Sequence, residues 1–369
     1  MQRGATASNT REVPKPSRTY KLNKRRINAQ IGNGPTTASR CGLLPRRVCN
    51  SFGATSAADI EDGTISPADL QNTGYKTGPI PRPYGETLQP IIDIHVHIMP
   101  YHMVKPSALA LIKHGRKDYA DVERYSADPK AFLGLLDSLG IERAGLINYV
   151  APQIIGFTPE VNDWSANYCK AAPHRLIAFG GVLPGTVPDP GAEVDRIAKL
   201  GIRAIKMHPS HQVLSPNDYM DGNRGLAAIY ERAQANGMPI MVHTGTSIFP
   251  GARNLHAQPM LCDDVSIDYP DLVVILAHGG RPLWMNEAFF LVRRHKNMYM
   301  DISGIPPQKL MEYFPRIEDI ADKVLWGTDW PGPGVPAIKG NIEKFNALPI
   351  GAEAKRKILY DNAARLFPR

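Results

Sequence analysis

At 369 residues with 43% hydrophobic content, the chain suits one large domain or two ordinary ones and can pack a full core. No apolar run approaches the roughly 20 residues of a membrane helix, and four scattered cysteines (Cys41, Cys49, Cys169, Cys262) without CxxC spacing argue against a zinc ribbon or disulfide framework. The formal charge of +8 is unevenly spread: residues 1–58 hold eleven Lys or Arg against one acid, Glu12, a balance of +10 that leaves −2 for the rest.

That basic segment is rich in Arg, Ser, Thr, Gly and Pro, lacks hydrophobic periodicity and reads as disordered. It is acid-poor like a transit peptide, which allows organellar targeting, although no amphipathic helix is evident. No apolar stretch of signal-peptide type follows Arg46-Arg47, which argues against secretion. Only Tyr20 interleaves the charges, so nucleic acid is not an expected partner. Residues 59–90, with TGPIPRPYGETLQP, read as an extended Pro-rich lead-in. The expected division is a basic extension and lead-in over 1–88 and one domain over 89–369.

From residue 91, apolar runs of strand length recur at 91–98 (IIDIHVHI), 143–150 (RAGLINYV), 176–183 (LIAFGGVL), 202–207 (IRAIKM), 239–243 (PIMVH), 272–278 (LVVILAH), 297–302 (NMYMDI) and 324–329 (VLWGTD). Helical patterns with recognisable ends lie between them. SADPKAFLGLLDSLG offers Asp128 as N-cap, Pro129 at the first helical position and Gly140 beyond the last turn. GAEVDRIAKLG ends on Gly201, RGLAAIYERAQANG ends on Asn236-Gly237, and PLWMNEAFFLVRRHK opens on Pro282. Eight strands alternating with helices predict an α/β fold of the (β/α)8 TIM-barrel type, which takes about 250 residues. A doubly wound open sheet would want a glycine-rich phosphate turn after its first strand, and none is present.

The first run carries unusual polarity. As a strand, IIDIHVHIMP sets Ile92, Ile94, Val96 and Ile98 on one face and Asp93, His95 and His97 on the other. Such a polar face is costly to bury unless it is bonded or binds something. It is either the wet side of an edge strand or a pair of imidazoles able to share one cation. In barrels of this type chemistry gathers at the C-terminal ends of the strands. Lys206 and His208 close the fourth run, His243 the fifth, His278 the sixth and Asp329 the eighth. Any one alone would more often be a satisfied core residue; so many together point to a site.

The pieces DIHVH, IKMHP, VHTG, LAHGG, GTDWP and YDNAARLF, in this order, resemble the amidohydrolase superfamily, and within it the amidohydrolase-2 group related to aminocarboxymuconate semialdehyde decarboxylase. The resemblance implies that His95, His97, His243 and Asp329 bind a divalent metal and that His278 polarises substrate or water beside it. Neutral imidazoles with one carboxylate suit Zn²⁺, with Mn²⁺ or Fe²⁺ as competitors. A metal-activated water would supply the nucleophile, and Asp329 would take its proton and pass it on. One metal is expected, or two if Lys206 is carboxylated as in two-metal relatives; otherwise Lys206 binds an anionic substrate group.

Around this set several residues have two readings. Asp93 either orients a histidine from behind or bonds backbone at the strand start. His208 and His211 either line the pocket or are exposed loop residues. Arg253 and Arg281 either clamp a carboxylate or are solvated. Trp330 could stack on a flat substrate, whereas Trp284 reads as core. Residues 99–127, with His102, Lys105 and Tyr119, read as a lid. The expected activity is metal-dependent hydrolysis of a lactone or amide in a small anionic compound of the aromatic-degradation type. Non-oxidative decarboxylation of a carboxylated aromatic or muconate-like substrate is the alternative, and a silent binding barrel is a third reading that the complete ligand set disfavours. A homodimer in the cytoplasm, with no membrane partner, completes the expectation.

Overall fold

The computed structural model describes residues 90–369. The expected disorder of the basic extension and the Pro-rich lead-in fall on residues outside those described. Eight parallel strands form one sheet in chain order. They are β1 (Ile91–Val96), β2 (Ile141–Leu146), β3 (Leu176–Gly180), β4 (Ala204–Met207), β5 (Ile240–His243), β6 (Val274–Ala277), β7 (Met298–Asp301) and β8 (Val324–Leu325). Backbone bonds from Ile94 N to Trp326 O (3.0 Å), Asp329 N to His95 O (2.8 Å) and His97 N to Trp330 O (2.8 Å) bring the eighth strand back to the first. The fold is the expected TIM barrel.

Helices separate the strands because the sequence between them supplies caps and one apolar stripe. Asp128 accepts from Lys130 N at 2.9 Å to start the helix Pro129–Ser138, and Gly140 leaves it at φ +69°, where a side chain would be strained. Asp189 and Asn223 cap Pro190–Lys199 and Arg224–Ala235 in the same way. The helix expected to open on Pro282 starts instead at Met285. The reason is a turn on Gly280, whose carbonyl accepts from both Leu283 N and Trp284 N and so uses up the residues that would have made the first helical turn.

The period-two reading of β1 matches the burial: Ile92, Ile94 and Val96 are fully enclosed on the face toward the surrounding helices. Asp93 on the opposite face accepts from His95 N (3.2 Å), Thr328 N (3.0 Å) and Thr328 Oγ1 (2.7 Å). It therefore ties the first strand to the segment after the eighth, which is the backbone-bonding reading of that residue. The second strand is paired over 141–146, and Ile147 N still donates to Val96 O at 2.8 Å; Asn148–Val150 leave the ladder and stay buried toward the mouth of the barrel. Among the described residues no helix is long and apolar enough to cross a membrane.

Candidate active site

The C-terminal strand ends enclose a cavity of about 350 Å³, within the usual range for small-molecule sites. His95, His97, Lys206, His208, His243, His278, Arg281 and Asp329 all line it. His95 is fully buried, with Nδ1 2.5 Å from Asp301 Oδ2 and Nε2 3.4 Å from Asp329 Oδ1. His97 Nε2 meets the same Asp329 oxygen at 3.0 Å. Asp329 Oδ2 faces Arg281 Nη2 at 3.5 Å. Burial pushes the Asp329 carboxyl up, but the bond from His97 and the charge of Arg281 outweigh it and hold the group down at about 2. The same burial drives His95, His243 and His278 well below the ordinary histidine value, so each ring is neutral and has a lone pair to offer.

Among the described residues two groups of three side chains bring their donor atoms within 4.8 Å of one another: His95, His97 and Asp329, and His95, His278 and Asp301. His95 Nε2 and His243 Nε2 are buried without a hydrogen-bond partner, although buried polar atoms are ordinarily paired. Neutral imidazole nitrogens and a carboxylate converging on one point, with unspent lone pairs, fit a divalent cation. His243 lines the same cavity but belongs to neither compact group. Its ring stacks on His208 at 3.8 Å between centroids and meets His278 edge-on at 4.7 Å.

His278 and Asp329 share a backbone oddity. They sit at φ +66° and +67°, in the left-handed region that side chains other than glycine seldom adopt. Each such residue costs of order 1–3 kcal/mol and persists where the surroundings over-determine it. For Asp329 those surroundings are the bond to His95 O and the close Gly332 N to Asp329 O contact at 2.6 Å. His278 Nδ1 donates to Ser303 O at 2.9 Å, which leaves Nε2 as the free nitrogen.

Lys206 is almost fully buried and its ammonium has no hydrogen-bond partner. Burial lowers its pKa, while Asp301 and Asp329 act in the opposite sense. His208 and His211 are buried, not loop-exposed. They stack at 3.6 Å, and His211 is held by Tyr149 Oη (2.9 Å) and Ser247 Oγ (2.8 Å). Two expected substrate contacts lie elsewhere. The Arg253 side chain is exposed and outside the cavity lining, while its backbone N–H donates to Ser210 O at 3.0 Å and its carbonyl accepts from His256 N at 3.4 Å. Trp330 is buried but turned away from the cavity, packed on Tyr125 (6.1 Å) and under Arg116 (5.9 Å). From the expected lid, Met99, Tyr101 and Ile112 reach the cavity wall. His102 and Lys105 are exposed. Asp301, Ser303 and Tyr149 were not singled out in the sequence. Asp301 lies one residue before the end of the seventh run and closes β7, so the strand-end signal was present; Tyr149 is hidden inside an apolar run.

A sequence model described as amidohydrolase matches residues 92–369. The chain belongs to this family. It is 27% identical over 142 residues to a 2-pyrone-4,6-dicarboxylate hydrolase of Comamonas testosteroni, a match covering 28% of this chain and 46% of that protein. The chain thus spans less than half the length of this curated relative. A TIM-barrel protein from Bordetella bronchiseptica superposes with a TM-score of 0.60 at 23% identity, over 75% of this chain and 98% of that one. A 5-carboxyvanillate decarboxylase from Sphingomonas paucimobilis superposes with a TM-score of 0.55 at 18% identity, over 76% and 99%. These likenesses support the fold.

Proposed function

We propose that this amidohydrolase hydrolyses a lactone or related acyl bond in a small, anionic, ring-shaped compound, with residues 89–369 as the catalytic unit. The observation that carries the reading is the buried, unpartnered Lys206 ammonium in the same cavity as the His95–His97–Asp329 group. A lone buried cation is costly unless an anion meets it, and a substrate carboxylate would supply one. Arg281, half-buried beside Asp329, offers a second, planar donor set for the same purpose.

His95, His97, His243 and Asp329 would hold the cation, with Zn²⁺ first and Mn²⁺ or Fe²⁺ as rivals, as a single ion. A divalent ion bound there supplies Lewis acidity and lowers the pKa of water. The chain's own residues do the rest. Lys206 and Arg281 bind the substrate carboxylate and so fix the ring in the cavity. Asp329 accepts the proton that the attacking water loses; as the acyl C–O bond breaks, it returns that proton to the leaving oxygen. His278, whose Nδ1 proton is committed to Ser303 O, turns its Nε2 lone pair to the water, where it can accept a hydrogen bond. Water enters, one acyl bond breaks, and a ring-opened acid leaves.

The sequence likeness to the 2-pyrone dicarboxylate hydrolase supports this choice, and the competing reading is non-oxidative decarboxylation on the same residues. The deciding experiment is elemental analysis of the purified protein, then a screen of pyrone carboxylates and carboxylated aromatics with CO₂ and ring-opened acid both measured. Ring-opened acid without CO₂ is the expected result, and stoichiometric CO₂ would transfer the proposal to decarboxylation. Dimer formation is checked by sedimentation of the full chain.

A further inference from the structure

The end of β7 is bound to both halves of the proposed site at once. Asp301 Oδ1 accepts from Ser303 N at 2.8 Å, and Asp301 Oδ2 lies 2.8 Å from Ser303 Oγ and 2.5 Å from His95 Nδ1. Ser303 Oγ is also 3.0 Å from His95 Nδ1 and 3.0 Å from His278 Nδ1. The carbonyl of Ser303 is 2.9 Å from His278 Nδ1. Asp301, Ser303 and His95 are all fully buried, and His278 nearly so.

Counting protons removes most of the freedom. A serine hydroxyl has one proton and a carboxylate has none. The Ser303 hydroxyl therefore gives its proton to Asp301 Oδ2, its strongest acceptor, and can only accept from the two rings. A carbonyl oxygen facing His278 Nδ1 can likewise only accept, and a bare ring nitrogen there would set lone pair against lone pair. With Asp301 ionised, both rings then carry hydrogen on Nδ1. We infer that Asp301 and Ser303 are positioning residues that lock His95 and His278 together in the Nδ1–H tautomer, so that the Nε2 lone pairs of a proposed metal ligand and of the histidine beside it are presented by one shared hub. Gly327 protects the hub: a Cβ there would lie 2.7 Å from Asp301 Oδ1, 2.7 Å from His95 Cβ and 3.0 Å from Ser303 Cβ.

The inference rests on the metal reading for its consequence but not for its test. An amide at position 301 has a single acceptor oxygen. If that oxygen keeps Ser303 N–H, the NH₂ group turns on His95 Nδ1 and drives the ring proton to Nε2, which faces Asp329 Oδ1 at 3.4 Å. The experiment is imidazole ¹⁵N NMR on the full-length, metal-free protein, with the resonances assigned through His95→Gln and His278→Gln. Zinc affinity is measured in parallel by chelator competition. Both rings are expected as Nδ1–H in the unsubstituted protein. In Asp301→Asn, His95 is expected to move to Nε2–H while His278 stays, with zinc affinity down by roughly 10- to 100-fold. An unsubstituted protein with either ring as Nε2–H overturns the inference, with no variant needed. So does an Asp301→Asn protein that keeps the His95 tautomer and binds zinc within about twofold of the parent. If both tautomers are as expected and no zinc binds, the metal reading fails and the hub stands.

Discussion

On the side of the cavity built by β1, β7 and β8 each imidazole proposed as a metal ligand meets a carboxylate: His95 meets Asp301 and Asp329, and His97 meets Asp329. On the side built by β4 and β5, His243, His208 and His211 stack face to face at 3.8 and 3.6 Å, both pairs 13° from parallel, and none has a carboxylate partner. Burial and the neighbouring imidazoles lower the pKa of His208, and His211 is pushed down to about 3 by burial and the Lys206 charge. The same side chain thus serves two purposes. Beside a carboxylate, a neutral ring becomes an oriented donor to a cation. In a stack the rings cover one another's faces and line the cavity as a neutral wall, while His243 at the end of the stack keeps its Nε2 unpartnered.

The largest expected effect tests the carboxylate-bound side. His95→Ala or His97→Ala should strip the metal and reduce turnover below detection while circular dichroism shows the barrel intact, since the core of β1 comes from its isoleucines and valine. A variant that kept its metal and near-normal turnover would disprove the ligand assignment. Next comes Asp329→Asn, which keeps the shape but cannot take up a proton at a useful rate; a loss on the order of 10²–10⁴ in kcat is expected. Metal content measured on the same sample separates lost chemistry from lost occupancy, and turnover within a few-fold of the parent would pass the proton-handling role to His278.

Between the two walls stands Lys206. Lys206→Met should raise KM for a carboxylate-bearing substrate by about 10- to 100-fold, the worth of a charged hydrogen bond, with metal content unchanged. If metal content falls instead, Lys206 belongs to the metal site, as carboxylation would require. His208→Ala should be milder: losing the ring packed between His211 and His243 removes aromatic contacts worth about 0.5–1.5 kcal/mol each and loosens this wall of the cavity, so KM rises several-fold and metal content holds. Stripping of metal by His208→Ala would erase the distinction between the walls. Deleting residues 1–58 should change turnover least of all, because every residue assigned to either wall lies beyond them; activity assays on the truncated chain check this.

What could be read along the chain was whatever repeats locally. Alternation with period two exposed β1 and its polar face, caps such as Asp128 and Asp189 marked helix starts, and a polar residue closing an apolar run marked Lys206, His243, His278 and Asp329. Arg253 was misplaced because proximity in sequence to a strand end says nothing about where a long loop turns its side chains. Trp330 was misplaced for a different reason: next to Asp329 at φ +67°, the chain bends and sends the indole to the Tyr125 side.

The fold class and the polar residues at the strand ends follow from the sequence by itself, because strand alternation and helix capping are decided within a few residues, and the family resemblance picked the candidate ligands among them. Only the tertiary structure decided how those ligands are used. The bond of His95 to Asp301 spans 206 positions and that of His97 to Asp329 spans 232, and no local rule connects residues so far apart. Closing the barrel brings them within hydrogen-bond distance, where burial strengthens each charge and each shared proton. That enclosure is what separates the carboxylate-bound imidazoles from the stacked ones.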